Sequence, residues 1–254
     1  MATYKPRIAD RILKRKVLGK GAVLIEGPKW CGKTTTAKQL AKSVLDLGDS
    51  AVLMQSSQMI ELSPKALLEG DTPRLIDEWQ ALPPIWDCIR SEVDRRGEPS
   101  QFILTGSSVL PEADETIHSG TGRFAHVKMF PMSLYESGES SGTISLRDLF
   151  DGKTFEVHEN RLDVEELAYL ICRGGWPWAT NIPKEVALDQ AFDYYDSVTN
   201  YDIQRVDKVK RSAERAKLLL RSYARNISQQ VSIATIRKDM LANDASTLDE
   251  NTVM

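Results

Sequence analysis

Gly27, Gly32, Lys33 and Thr34 stand at the spacing G-x-x-x-x-G-K-[ST] within GPKWCGKT, residues 27–34. That spacing serves one kind of chemistry: glycines let a loop turn back so that its amide N–H groups converge on phosphate oxygens, and a lysine closes the cradle. Gly27, Pro28, Lys29, Trp30, Cys31, Gly32, Lys33, Thr34 and Thr35 are therefore the candidates for holding a nucleotide. Lys33 would reach the β- and γ-phosphates, and the Thr34 hydroxyl would bind Mg²⁺.

Hydrolysis needs a second strand that ends in a carboxylate. TPRLIDEWQ supplies one: Leu75 and Ile76 extend an apolar strand, Asp77 falls at its end and Glu78 follows. Asp77 would hold Mg²⁺ through its water shell, because that ion keeps several waters and takes few carboxylates. Glu78 would orient or deprotonate the attacking water. Two acids after an apolar run also fit a solvated strand end, and the phosphate loop upstream decides for the chemical role.

The elements that must position these residues follow from the same pattern. AVLIE reads as a buried strand and TTTAKQLAKSVL as a helix whose positive N-terminal end favours an anion. A further strand is expected at Ala51–Gln55, a helix over PPIWDCIRSEVDRR, a strand through QFILT ending near Thr105, and a fifth strand from Phe124 to Met129 directly after Arg123. Strands alternating with helices predict an α/β fold: a five-stranded parallel sheet in three layers, with the site at the carboxyl ends of the strands.

The order of phosphate loop, extra strand, Asp-Glu strand, polar-tipped strand and Arg before strand five resembles the AAA-type ATPases. More closely, EGPKWCGKTTTA, RLIDEWQ, FILTGSS, GTGR, MSLYESGE and RGGWP resemble predicted bacterial ATP-binding proteins that end in an uncharacterised, nuclease-like domain. The resemblance implies ATP and Mg²⁺ as cofactors and makes Thr105, or Ser107 as a close alternative, similar to the first sensor residue. It places Arg123 like an arginine finger; the plainer reading is a strand-edge Arg paired to an acid. Fingers commonly serve a neighbouring subunit, so homo-oligomerisation stays open. Arg173 in RGGWP is compared with second-sensor arginines on the same ground, against a structural cap.

Outside these motifs the chain is less specific. Its 254 residues are 41% hydrophobic and 27% charged with a net charge of −3, an ordinary globular balance in which any nucleic-acid surface must come from local clusters. No apolar run is long enough to span a membrane, and the charged start MATYKPRIADRILKRK does not resemble a signal peptide, so a cytoplasmic protein is expected. Cys31, Cys88 and Cys172 give neither a disulfide framework nor metal-ligand spacing. His118, His126 and His158 are expected to be structural. Cys31 stands beside a helix start, where a thiol pKa tends to fall, although a small residue tolerated in the loop explains it as well.

Ile8, Ile12, Leu13 and Val17 recur at helical spacing and predict an amphipathic helix packed beside the sheet; the family resemblance implies that such an N-terminal element helps wall the adenine pocket. The expected organisation is an ATPase core over 1–138, a helical lid over 139–205, and a winged-helix or helix-turn-helix segment over 206–254. Tyr194, Tyr195 and Tyr201 are expected in the core of the helical part. In the last segment Arg211, Arg215, Arg221 and Arg225 are phosphate-facing candidates for a DNA partner, and a protein partner is the alternative. Thr247 and Glu250 form a capping box for a helix that has only one turn before Met254, from which a continuation into a further domain is expected. The function so implied is a Mg²⁺-dependent ATPase acting as a switch or remodeller. A non-hydrolysing ATP-gated binding module and, less favoured, a small-molecule phosphotransferase are the alternatives.

Overall fold

The computed structural model describes residues 4–106, 120–156, 162–204 and 212–242. Helix α1 (Ile8–Gly19) buries Ala9, Leu13 and Val17, one residue every four along a single face. Ile8 and Ile12, expected on that face, are 50% and 42% exposed, so the buried stripe lies one residue round from the expected one.

Five parallel strands follow: β1 (Ala22–Glu26), β2 (Ser43–Asp46), β3 (Arg74–Asp77), β4 (Phe102–Gly106) and β5 (Phe124–Lys128). They lie in the order β2-β3-β4-β1-β5, which confirms the expected five-stranded parallel sheet. Strand pleating sends alternate side chains to opposite faces, and both faces are covered. Ala22, Leu24, Ile76, Phe102 and Leu104 pack on one side with Trp79, Ile85, Trp86 and Ile89. Val23, Ile25, Leu75, Ile103 and Val127 pack on the other with Ala9, Leu13, Val17 and Ala37.

The connections differ from expectation in one stretch. Helix α2 (Lys33–Lys38) has only six residues, and the chain enters β2 at Ser43, where the sequence pattern continues the helix. The strand expected at Ala51–Gln55 is instead part of helix α3 (Ser50–Leu62). The cause is a cap: the Asp49 carboxylate accepts the amides of Ala51 at 2.8 Å and Val52 at 3.3 Å, which starts a helix there. The extra strand is SVLD, paired through Val44 to Leu75.

Short α4 (Pro64–Leu67) precedes β3, and α5 (Ile85–Arg96) ends at Gly97 with φ 67°, a left-handed stop that glycine accepts without strain. Trp79, Trp86 and Phe124 form an aromatic column between α5 and the sheet, with Trp86 and Phe124 stacked at 4.1 Å. After β5 come α6 (Leu134–Ser137), α7 (Leu146–Phe150) and α8 (Val164–Arg173).

The chain divides into two units, Met1–Pro183 and Lys184–Met254, and the division falls inside the segment 139–205. The second unit contains α9 (Lys184–Ala187), α10 (Asp189–Asn200), α11 (Ala213–Arg225) and α12 (Ile233–Ala242). Within it Ile236 and Met240 of α12 are buried against Leu218, Leu219 and Val231. The capping box at 247–250 lies outside the described residues. Among the described residues no helix is long and apolar enough to cross a membrane.

Candidate functional site

β1, β3 and β4 run parallel and in register, so Glu26, Asp77 and Thr105 reach the same carboxyl edge of the sheet. The loop 27–32 leaves β1 at that edge. A Cβ on Gly27 would collide with the main-chain oxygen of Met129, which fixes glycine at the first position of the motif. Gly32, with φ 98°, lets the loop turn into α2. Between them Trp30 adopts φ 63° and is 63% exposed at the loop's tip, while Pro28 is half-buried and Lys29 exposed.

Lys33 is 6% exposed, and its Nζ donates to the main-chain oxygens of Gly27 and Pro28, each at 2.9 Å. The ammonium thus folds back onto the loop it belongs to, held by two of its carbonyls. Thr34 follows at the helix start, and its Oγ1 donates to Asp77 Oδ1 at 2.8 Å. Thr105 Oγ1 donates to the same Asp77 oxygen. Asp77 is 5% and Thr105 0% exposed, so two hydroxyls converge on one buried carboxylate at the foot of the loop. Thr35 is exposed and Thr36 is buried.

Glu78, the next residue, is half-buried with φ 53°, a left-handed conformation uncommon for a residue with a Cβ. Its carboxylate accepts the side-chain amide of Gln80. The donor set of Thr34 and Asp77, one hydroxyl and one carboxylate, suits a Mg²⁺ ion that retains most of its water. Among the described residues no group of three or more His, Cys, Asp or Glu converges as a self-sufficient metal site.

Arg123 precedes β5, and Phe124 pairs with Ala22, so Arg123 lies at the amino edge of the sheet while the loop leaves the carboxyl edge. The five residues of β1 separate those edges by about 16 Å. Arg123 Nε bonds Asp94 at 2.7 Å, the strand-edge ion pair that was its plainer reading, and it is not brought together with Lys33, Asp77 and Thr105. Cys31 is fully buried, and burial pushes its thiol pKa up against the pull of Lys33 and Arg7, the opposite of the fall that a helix start alone would favour.

Arg173 is 4% exposed and bonds Glu139 at 2.6 Å and its neighbour's Gly174 oxygen at 3.0 Å, a structural arrangement at the end of α8. His126 faces Glu26 at 3.2 Å. In the second unit Arg225 is paired with Asp239 at 2.6 Å and Arg221 is exposed, while Tyr201 is 66% exposed. Tyr194 and Tyr195 are half-buried. Ser107, His118, His158 and Arg211 lie outside the described residues.

Sequence reasoning missed Arg7. Its buried guanidinium donates Nη1 to the Cys31 main-chain oxygen at 2.7 Å, Nη2 to that of Phe130 at 2.7 Å, and Nε to Glu136 at 3.0 Å. The one local signal was an Arg at the N-cap of α1 followed by Asp10, whose carboxylate accepts the Arg7 amide at 2.7 Å. A cleft of 260 Å³ opens beside the loop, lined by Tyr4, Arg7, Gly32, Thr35, Pro177 and Trp178 among others.

Residues 19–138 match a family described as AAA domain, and residues 164–252 match a domain of unknown function, DUF8612. Uncharacterised proteins of Mycobacterium bovis and Mycobacterium tuberculosis are each 27% identical over 137 residues, covering 53% of this chain and 31% of theirs. The chain thus matches about a third of those relatives' length. A Walker-type ATPase of Pyrococcus abyssi has the same fold, with a TM-score of 0.56 at 16% identity over 98% of this chain and 87% of that one. Residues 19–138 are therefore similar to an AAA domain, and the fold they belong to is shared with a Walker-type ATPase.

Proposed function

We propose that residues 19–138 are an AAA-type ATPase domain that binds Mg²⁺-ATP at the 27–35 loop and hydrolyses it. The observation that carries this reading is the convergence of the Thr34 and Thr105 hydroxyls on Asp77 at the foot of the loop bridged by Lys33. The loop amides and Lys33 bind the phosphates, with the Lys33 ammonium exchanging two carbonyl partners for phosphate oxygens. Thr34 and Asp77 would hold Mg²⁺, which when bound neutralises charge on the β- and γ-phosphates. Thr105 orients the Asp77 carboxylate from the neighbouring strand. Glu78 stands next to that carboxylate and is the base for water, once Gln80 releases it. The cleft bounded by Tyr4, Pro177 and Trp178 gives the purine an apolar wall beside the loop.

The hold of Gln80 on Glu78 favours a second reading, a slow or non-hydrolysing ATP-gated binding module. Single-turnover hydrolysis separates the two. A phosphate burst in wild type that Glu78→Gln reduces about 10²-fold or more supports catalysis; equal rates favour the module. A phosphotransferase fits less well, because a strand interposed before the Asp77 strand, now identified as Ser43–Asp46, is a feature that suits attack by water.

We further propose that nucleotide state is communicated to a DNA or protein partner through the C-terminal region. The exposed Arg221 supports a polyanionic partner, whereas Arg225 is already neutralised by Asp239. Titration with duplex DNA at several salt concentrations tests it: affinity without a salt slope rules out phosphate contacts.

A further inference from the structure

Arg7 is a buried charge that the proposed hydrolysis does not use. Its side chain is 4% exposed and that of its partner Glu136 is 7% exposed. Glu136 also accepts the amides of Ile8 at 2.7 Å and Ser133 at 2.8 Å. Burying such a pair costs desolvation that the attraction between the charges repays only with good geometry, and apolar residues commonly serve stability as well. Fold stability alone therefore gives little reason for an arginine here, whereas its contact with the phosphate loop supplies one.

The Cys31 oxygen that Arg7 holds belongs to the same peptide group as the Gly32 N–H. In a planar trans peptide these two groups point in opposite directions. Pinning the oxygen on the Arg7 side turns the Gly32 N–H to the other side. Gly32 is the residue at which that restraint matters, because a glycine at φ 98° offers no Cβ to resist rotation of the peptide before it. Nη2 meanwhile holds the Phe130 oxygen, just beyond β5, and Nε ties the assembly to Glu136 of α6.

We propose that Arg7 is a positioning residue of the nucleotide site: by fixing the Cys31 carbonyl it presents the Gly32 amide to a phosphate, and through Glu136 it anchors that amide to the α6 turn. This rests on the reading of the 27–35 loop as a nucleotide site. It assigns Arg7 to the phosphate end of the ligand, although Arg7 also lines the cleft beside the loop. A residue that touched the base would affect every adenine ligand alike, whereas one that sets a phosphate-binding amide affects only ligands with a phosphate chain.

The test is a comparison of ADP and adenosine binding to the full chain, by calorimetry and by displacement of a fluorescent ADP analogue, with thermal melts confirming that each variant is folded. Arg7→Gln is expected to weaken ADP by about ten- to a hundredfold, the equivalent of one charge-assisted hydrogen bond, and to leave adenosine unchanged. Arg7→Lys, which reaches one carbonyl at a time, is expected to recover part of the loss. Glu136→Gln keeps the shape of the anchor and is expected to weaken ADP in the same selective sense; it decides the matter if Arg7→Gln does not fold. Unchanged ADP affinity in the folded variants, or equal losses for ADP and adenosine, overturns the proposal. Wild-type protein that binds no ADP overturns the nucleotide reading itself, a separate result.

Discussion

Asp77 illustrates how much depends on single atoms at the edge of the sheet. One of its oxygens receives two hydroxyls, from Thr34 on the loop side and Thr105 on the strand side. Replacing Asp77 by Ala leaves both hydroxyls without their acceptor in a buried place, so a loss of about 1–3 kcal/mol in urea-measured stability is expected along with loss of Mg²⁺-dependent binding. Gly27→Ala is expected to fail differently. The added Cβ has no room against Met129, and overpacking of this kind costs about 1–3 kcal/mol, with nucleotide affinity lost as the loop shifts. Cysteine reactivity is also a residue-scale matter. Cys172 is exposed and Cys31 is buried with its thiol pKa raised, so timed alkylation followed by peptide mass analysis should label Cys172 first and Cys31 last. Rapid labelling of Cys31 in folded protein would show that the loop is not seated as described.

At the scale of elements, α1 and α5 hold the two faces of the sheet. Leu13 is fully buried and Ile12 is 42% exposed on the same helix. Leu13→Ala is expected to cost about 2–5 kcal/mol and Ile12→Ala much less, a contrast that denaturant melts resolve. On α5, Glu92 accepts Arg95 at 2.6 Å and Arg96 at 2.6 Å. The hydrogen bond from Arg95 leads in lowering its pKa, with Arg96 adding to it against the opposing effect of burial, from 4.5 to about 2. A lowered folded-state pKa stabilises the protein above the ordinary value, and that stability is lost as pH falls from 4.5 toward 2. Glu92→Gln should therefore flatten the acid limb of the unfolding profile; an identical limb in both proteins would show that this carboxylate is not held. At Glu136 burial pushes the carboxyl pKa up, but the Ser133 and Ile8 amides and the Arg7 charge outweigh it and leave the pKa below its ordinary value, so this anchor too weakens in acid.

For the whole molecule the decisive fact is the direction of the strands. A parallel sheet gathers the ends of β1, β3 and β4 at one edge and leaves the residue before β5 at the other. Arg123 belongs to that far edge, bonded to Asp94. Arg123→Ala is accordingly expected to leave ATP binding and the single-turnover rate of dilute protein unchanged. If that rate collapses, Arg123 reaches the site by a route the fold does not show; a defect that emerges only at high protein concentration would place it in a neighbour's site.

The sequence by itself determined the glycine-bounded loop after β1, the Asp-Glu strand and the parallel α/β class, because each is written in local chemistry. Glycine spacing sets a turn, apolar runs set buried strands, and the acid after Ile76 falls at a strand end whatever lies elsewhere. Local signals also had limits: AVLMQ has the composition of a strand, and the Asp49 cap two residues earlier makes it a helix. Only the tertiary structure decided the rest. That Arg7 meets Glu136, 129 residues away, depends on the α1 approach and the β5–α6 turn packing on one loop. That Arg123 stands at the amino edge, away from the loop, depends on which way β5 runs beside β1. Neither is encoded in the neighbourhood of the residue concerned, since long-range contacts follow from how the elements cross and not from the chemistry of any one of them.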